Sequence, residues 1–129
     1  MENFIILDDI NVTPLLKAHD TFKHGLKIAH SQLERDGVIQ RFEYTLELSW
    51  KLLRKILKFK GIEVNSPRDT FRESAAIGLI QDPEVWFDFL QKRNLTSHTY
   101  NQEISDEIYL ILQMANDKFE ELIETVCAL

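Results

Sequence analysis

Apolar residues along this chain recur at intervals of three and four, the spacing that lays a stripe along one face of a helix. Thr13-Pro14 opens the first such run, with a capping hydroxyl followed by proline at the first helical position. Leu15, Ala18, Phe22, Leu26, Ala29 and Leu33 then repeat over about five turns. Asp36-Gly37 reads as a break. A second, stronger run from Val38 to about Phe59 carries Ile39, Phe42, Leu46, Trp50, Leu53 and Ile56, and Gly61 stands where a C-terminal cap belongs.

Ser66-Pro67-Arg68-Asp69 combines a cap, a first-turn proline and an acid, and predicts a short helix through Phe71, Ala75 and Leu79. Asp82-Pro83-Glu84 repeats the device and opens a fourth helix on Val85, Trp86, Phe89 and Leu90. Asn101 or Ser105 can cap a last long helix striped by Ile104, Ile108, Ala115, Phe119, Leu122 and Val126. No period-two run bounded by turn residues appears, so no strand is expected. The pattern therefore predicts a single all-α domain over residues 1–129, an antiparallel up-and-down four-helix bundle with an additional short helix. Its wide stripes leave room for a homodimer interface.

Composition narrows this picture. At 129 residues and 44% hydrophobic content the chain can close one core without staples. The single cysteine, Cys127, cannot form an internal disulfide, which points to a reducing, cytoplasmic setting. Met1 to Leu7 is apolar but too short for a signal segment, and no run approaches membrane-spanning length, so no membrane association is expected. No Cys or His pair has metal-ligand spacing, and no glycine-rich phosphate motif occurs, so neither a metal nor a cofactor is expected.

Fifteen basic against twenty-one acidic residues leave a net charge of −6, which argues against tracking nucleic acid by bulk electrostatics; no DNA partner is expected. A local site for RNA or a nucleotide remains open. Charge is unevenly spread, with Lys51, Arg54, Lys55, Lys58 and Lys60 inside one acid-free decapeptide. Their spacing by three and four is that of an RNA or partner footprint, or of cations gathered near a helix C-terminus. His19, His24 and His30 fit no ligand pattern and read as surface; Trp50 and Trp86 read as bundle or dimer core.

The densest chemistry lies in Arg93-Asn94-Leu95-Thr96-Ser97-His98-Thr99-Tyr100. Arg93 offers a planar fork of donors suited to a phosphodiester, and His98 is the residue type that titrates nearest neutrality. Equally, Arg93 can pair near the fourth helix's C-terminus while His98 bonds a carbonyl. Tyr100 is a functional phenol or a core-edge aromatic. Asn94 shares a face with His98, and Glu43 or Glu47 can orient Arg93 or His98. On a regular helix Arg93 and His98 diverge by about 140°. Either the helix loosens near Ser97, or the site is assembled from two subunits.

Arg93-x4-His98-x-Tyr100 at a helix end resembles the signature of the HEPN superfamily, in its HepT-like toxin branch. The likeness extends to Asp36-Gly37-Val38-Ile39-Gln40-Arg41-Phe42-Glu43-Tyr44 through Trp50-Lys51-Leu52-Leu53, to Ser66-Pro67-Arg68-Asp69, and to Trp86. Together these resemble the nucleotidyltransferase substrate-binding proteins over roughly Pro14 to Val126. The resemblance implies a homodimeric helical bundle whose Arg and His line a shared cleft. It implies a metal-independent ribonuclease, with Arg93 and His98 catalytic and Asn94 as a helper. It also implies an MNT-type nucleotidyltransferase partner that transfers AMP to Tyr100. The same group carries an older reading, a non-catalytic substrate-binding subunit of that nucleotidyltransferase.

Overall fold

Two helices joined by three residues form the spine of the molecule. The computed structural model describes residues 3–129; Met1 and Glu2, the first residues of the apolar start, lie outside them. In chain order it contains strands β1 (Ile5–Ile6) and β2 (Ile10–Asn11), then helices α1 (Thr13–Ile28), α2 (Gln32–Phe59), α3 (Pro67–Ala76) and α4 (Pro83–Asn94). A 3-10 turn (Thr96–His98) leads to α5 (Gln102–Leu110) and α6 (Leu112–Cys127). The all-α bundle expected from the periodicity is present, with α3 as its short extra helix.

Several local expectations are corrected. The antiparallel pair β1–β2 sets Ile5 opposite Asn11 and Ile6 opposite Ile10, and buries Ile6 and Ile10. Two-residue strands are too short to display an alternation, so no pattern marked them. Thr13 does not cap α1 with its hydroxyl; that oxygen accepts from the Phe4 N–H at 2.7 Å, while Asn11 Oδ1 accepts from the Thr13 N–H.

The first helix stops at Ile28 rather than running to Leu33. Ser31 and Glu34 form a reciprocal capping box, in which Ser31 Oγ accepts from the Glu34 N–H and Glu34 Oε1 accepts from the Ser31 N–H. Those Ser31 and His30 backbone donors hold the Glu34 carboxyl below its ordinary range. Leu33 is consequently 82% exposed, and Asp36-Gly37 lies inside α2 instead of ending a helix. The last helix is likewise divided at Ile111, where neither proline nor glycine signals a break.

Most of the remaining punctuation acts as its chemistry dictates. Ser66 Oγ accepts from the Asp69 N–H, and Asn101 Oδ1 accepts from the Glu103 and Ile104 N–H groups. Gly61 takes φ of 84°, and the Ile62 N–H closes the end of α2 on the Leu57 carbonyl at 2.8 Å. Asp82 makes no side-chain cap; it adopts a left-handed φ of 44°.

An aromatic cluster holds the helices together. Phe119 of α6 meets Phe22 of α1 edge-on at 5.7 Å, Phe42 of α2 at 6.4 Å, and Trp86 and Phe89 of α4 at 5.8 and 6.4 Å. Phe71 of α3 stacks on Trp86 at 4.9 Å. His19, expected at the surface, is buried against this cluster, where its Nε2 and Asn116 Oδ1 lie 2.8 Å apart. Burial is possible there because the Asn116 amide satisfies the ring.

Trp86 is thus core, as its spacing predicts, whereas Trp50 is only partly buried at the edge. Among the described residues, no helix is long and apolar enough to cross a membrane. Phe119→Ala should lower the unfolding free energy by about 3–5 kcal/mol, because the ring is fully buried and four helices cannot collapse onto the void. Urea denaturation of the two proteins, followed by far-UV circular dichroism, measures the difference.

Candidate functional site

Helix α4 ends where the chemistry begins. Leu95 leaves the α-helix, the Thr96 hydroxyl donates to the Arg93 carbonyl at 2.8 Å, and the His98 N–H closes the 3-10 turn on the Leu95 carbonyl at 2.9 Å. The Asn101 N–H then bonds the His98 carbonyl, and Asn101 caps α5. The helix therefore loosens just before Ser97, one of the two resolutions its spacing allowed. Partly buried Leu95 anchors the turn to the core, while Asn94, Ser97 and His98 face solvent.

Arg93 is the best-oriented group of the octapeptide. Its Nη1 donates to Glu47 Oε2 of α2 at 3.0 Å, and no other guanidinium nitrogen makes a protein hydrogen bond among the described residues. The same Glu47 oxygen accepts from Trp50 Nε1 at 3.0 Å, and Lys51 Nζ lies 3.4 Å from Oε1. Residues 47, 50 and 51 share one face of α2, so the carboxylate is gripped from its own helix before Arg93 arrives.

Partial burial pushes the Glu47 carboxyl up, but the Trp50 indole bond and the Lys51 and Arg93 charges outweigh it and hold the group below its ordinary 4.5. The Arg93 and Glu47 side chains are 30% and 36% exposed, so solvent screening limits the pair to about 1 kcal/mol or less. Its consequence is orientation more than stability: one edge of the guanidinium is held and the other donors stay available.

His98 and Tyr100 lie on the exposed side of the turn. The Tyr100 hydroxyl is 3.4 Å from His98 Nδ1, and the rings meet edge-on at 5.9 Å. That separation is at the outer limit of a hydrogen bond, so the imidazole is steered but not locked. Tyr100 is 86% exposed, which presents its phenol fully to any partner.

The structure thus gathers Arg93, Asn94, His98 and Tyr100 on one helix end and its following turn. The Asn94 side chain makes no hydrogen bond, and the Glu43 side chain makes no hydrogen bond or ion pair, among the described residues. The acid that meets Arg93 is Glu47. The distinguishing signal was Trp50, a donor three residues after Glu47 that Glu43 lacks. No group of three His, Cys, Asp or Glu side chains could hold a metal among the described residues.

The fold is that of a known class. Residues 11–126 match the family described as nucleotidyltransferase substrate binding protein like, and the chain belongs to that family. Among curated proteins it is similar to the probable ribonuclease HepT of Haemophilus influenzae, 37% identical over 78 residues that cover 57% of this chain. That alignment spans about half of the relative, 53% of its length. A solved crystal structure from Thermus thermophilus is 33% identical with a TM-score of 0.82, covering 87% of this chain and 98% of the other. A second structure, from Haemophilus influenzae, is 26% identical with a TM-score of 0.81, covering 90% and 98%. It is described as revealing the fold of a substrate binding domain of a nucleotidyltransferase.

Glu47→Gln should remove a pH-dependent part of stability. Because the folded carboxyl lies below its ordinary 4.5, the contribution is complete above that value and disappears as pH falls through the folded pKa. Melting temperatures of wild type and variant should differ at neutral pH by no more than about 4 °C. The gap should close on acidification through the carboxylate range.

Proposed function

We propose that this protein is the toxin of a HEPN/MNT toxin-antitoxin pair, a metal-independent RNA endonuclease acting as a homodimer. The observation that carries the reading is the helix end itself. Arg93 is held by Glu47 with donors to spare, directly before a turn that exposes His98 and Tyr100 to solvent. The similarity to a probable ribonuclease HepT supports it.

In this reading His98 is a proton carrier. One imidazole takes the proton of the ribose 2′-hydroxyl as that oxygen attacks phosphorus, and a protonated imidazole delivers a proton to the departing 5′-oxygen. The guanidinium of Arg93 binds the non-bridging oxygens and offsets the charge that builds on them. A two-fold dimer that faces these turns toward each other supplies both imidazoles to one cleft, which places the site at the interface. Asn94, exposed beside Arg93, is a helper in positioning the phosphate, and the supporting acid is Glu47 rather than Glu43 one turn earlier. An MNT-type nucleotidyltransferase neutralises the toxin by transferring AMP from ATP to the Tyr100 oxygen with release of pyrophosphate, a reaction whose steric demand the exposed phenol meets.

A second reading is favoured by the family description and by the Haemophilus influenzae structure: a non-catalytic subunit that binds nucleotide or substrate for the nucleotidyltransferase. It requires a nucleotide to raise the melting temperature of the protein or its complex. It does not require His98.

His98→Ala should abolish growth inhibition on expression and lower RNA cleavage by about 10²–10⁴-fold, with an unchanged circular dichroism spectrum and melting temperature. Undiminished cleavage by the variant would sink the nuclease reading. Intact mass spectrometry after co-expression with an MNT-type nucleotidyltransferase should show a gain of one or more AMP groups. The gain should vanish in Tyr100→Phe, and its absence from wild type would remove Tyr100 from the regulatory role.

A further inference from the structure

Glu47 has a second neighbourhood besides Arg93. Trp50 and Lys51, both bound to its carboxylate, also line a groove of about 420 Å³ between the start of α1 and the second half of α2. Its floor is apolar, built from Leu15, Leu48 and Leu52, and its rim carries Arg54, Lys55 and Lys58. Arg54 and Lys58 are shared with an adjoining hollow of about 140 Å³ that ends at Glu63 and Asn65, so the basic track stops at an acid there. None of Arg54, Lys55 and Lys58 forms an ion pair among the described residues, and all three are exposed. Cations that merely complement a helix C-terminus need no groove beneath them.

We propose that this groove binds the single-stranded RNA flanking the cleavage point, a proposal that rests on the ribonuclease reading above. Three features select that occupant. An aromatic and aliphatic floor accepts the face of a base, with Trp50 as the stacking surface. Cations at positions 51, 55 and 58 follow one helical face over roughly 10 Å, a track for successive phosphates rather than a point for one. The track begins at Lys51, which shares the Glu47 carboxylate with Arg93, so one side chain joins the groove to the guanidinium proposed to hold the scissile phosphate. In a chain of net charge −6, this acid-free stretch is also where a polyanion meets attraction instead of repulsion.

The groove gives the enzyme a preference for substrates that extend past the cleaved bond. It also explains how an acidic protein can act on RNA. Binding is read by fluorescence anisotropy of a labelled uridine RNA of about twelve nucleotides, methylated on every 2′-oxygen to prevent cleavage, titrated with the protein. Lys55→Gln combined with Lys58→Gln should weaken binding about tenfold and reduce the slope of log affinity against log salt by about 1.4. The same RNA should quench fluorescence of partly exposed Trp50 and leave buried Trp86 unaffected. Lys23→Gln with Lys27→Gln, equal in charge change but on α1, should retain most of the affinity.

Equal losses in both double variants would overturn the proposal, since bulk charge would then account for binding. So would absence of saturable binding by wild type, or a groove variant that keeps RNA but loses a nucleotidyltransferase partner, which would make this an acidic-protein docking site. Cleavage of unmethylated RNA by wild type is scored separately. Groove-dependent binding without cleavage would leave the groove standing and remove the nuclease reading.

Discussion

The contact of Phe119 with rings from three other helices is the constraint on which this structure depends. Phe22, Phe42, Trp86 and Phe89 all meet it, so α1, α2, α4 and α6 share one packed centre. Each such pair contributes about 0.5–1.5 kcal/mol beyond the area it buries, and together they outweigh any polar contact at the surface. Phe89 and Arg93 lie one turn apart on α4, and Phe42 and Glu47 lie five residues apart on α2. The Phe42–Phe89 contact at 6.2 Å sets α4 beside α2, and Arg93, one turn beyond Phe89, reaches across to Glu47 further along α2. The weak Arg93–Glu47 pair is a consequence of that packing, not its cause.

This division of labour accounts for the character of the helix end. Core packing supplies rigidity up to Asn94, and the 3-10 turn that follows is held only by backbone bonds, the Thr96 hydroxyl and the Leu95 side chain. Polar groups beyond that point are left with unused hydrogen-bonding capacity. Arg93 keeps most of its donors, and His98 has one long contact. A purely structural helix end tends to satisfy such groups; here they face solvent together, as a site that meets its ligand from outside requires.

Glu47 joins the two regions of functional interest. It accepts from Arg93 on one side and holds Trp50 and Lys51 on the other, so the same carboxylate that orients the guanidinium also shapes the wall of the basic groove. Neutralising it would disturb both. The acid one turn earlier, Glu43, has no such pair of neighbours, and the difference lies in the register of a single indole.

Sequence periodicity by itself determined the helical class, the stripes that became the core, and the caps at Ser66 and Gly61, and narrowed the cap of the last helix to Asn101 or Ser105, because each of these depends on residues within a turn or two. It also singled out the Arg93 to Tyr100 octapeptide as chemically dense, since residue types are legible without coordinates. The β1–β2 pair, the stop at Ile28 and the break at Ile111 were not legible in the same way. Two-residue strands carry no period; the Ser31–Glu34 box competes with a stripe that formally continues through Leu33; and no residue at 111 breaks a helix on its own. Burial of His19 needed Asn116, ninety-seven residues away. The pairing of Arg93 with Glu47, forty-six residues apart, needed the aromatic centre to dock α4 on α2. Local propensity is written in neighbouring residues, whereas the partner of a charge is decided by which helices the core brings together, and only the tertiary structure contains that information.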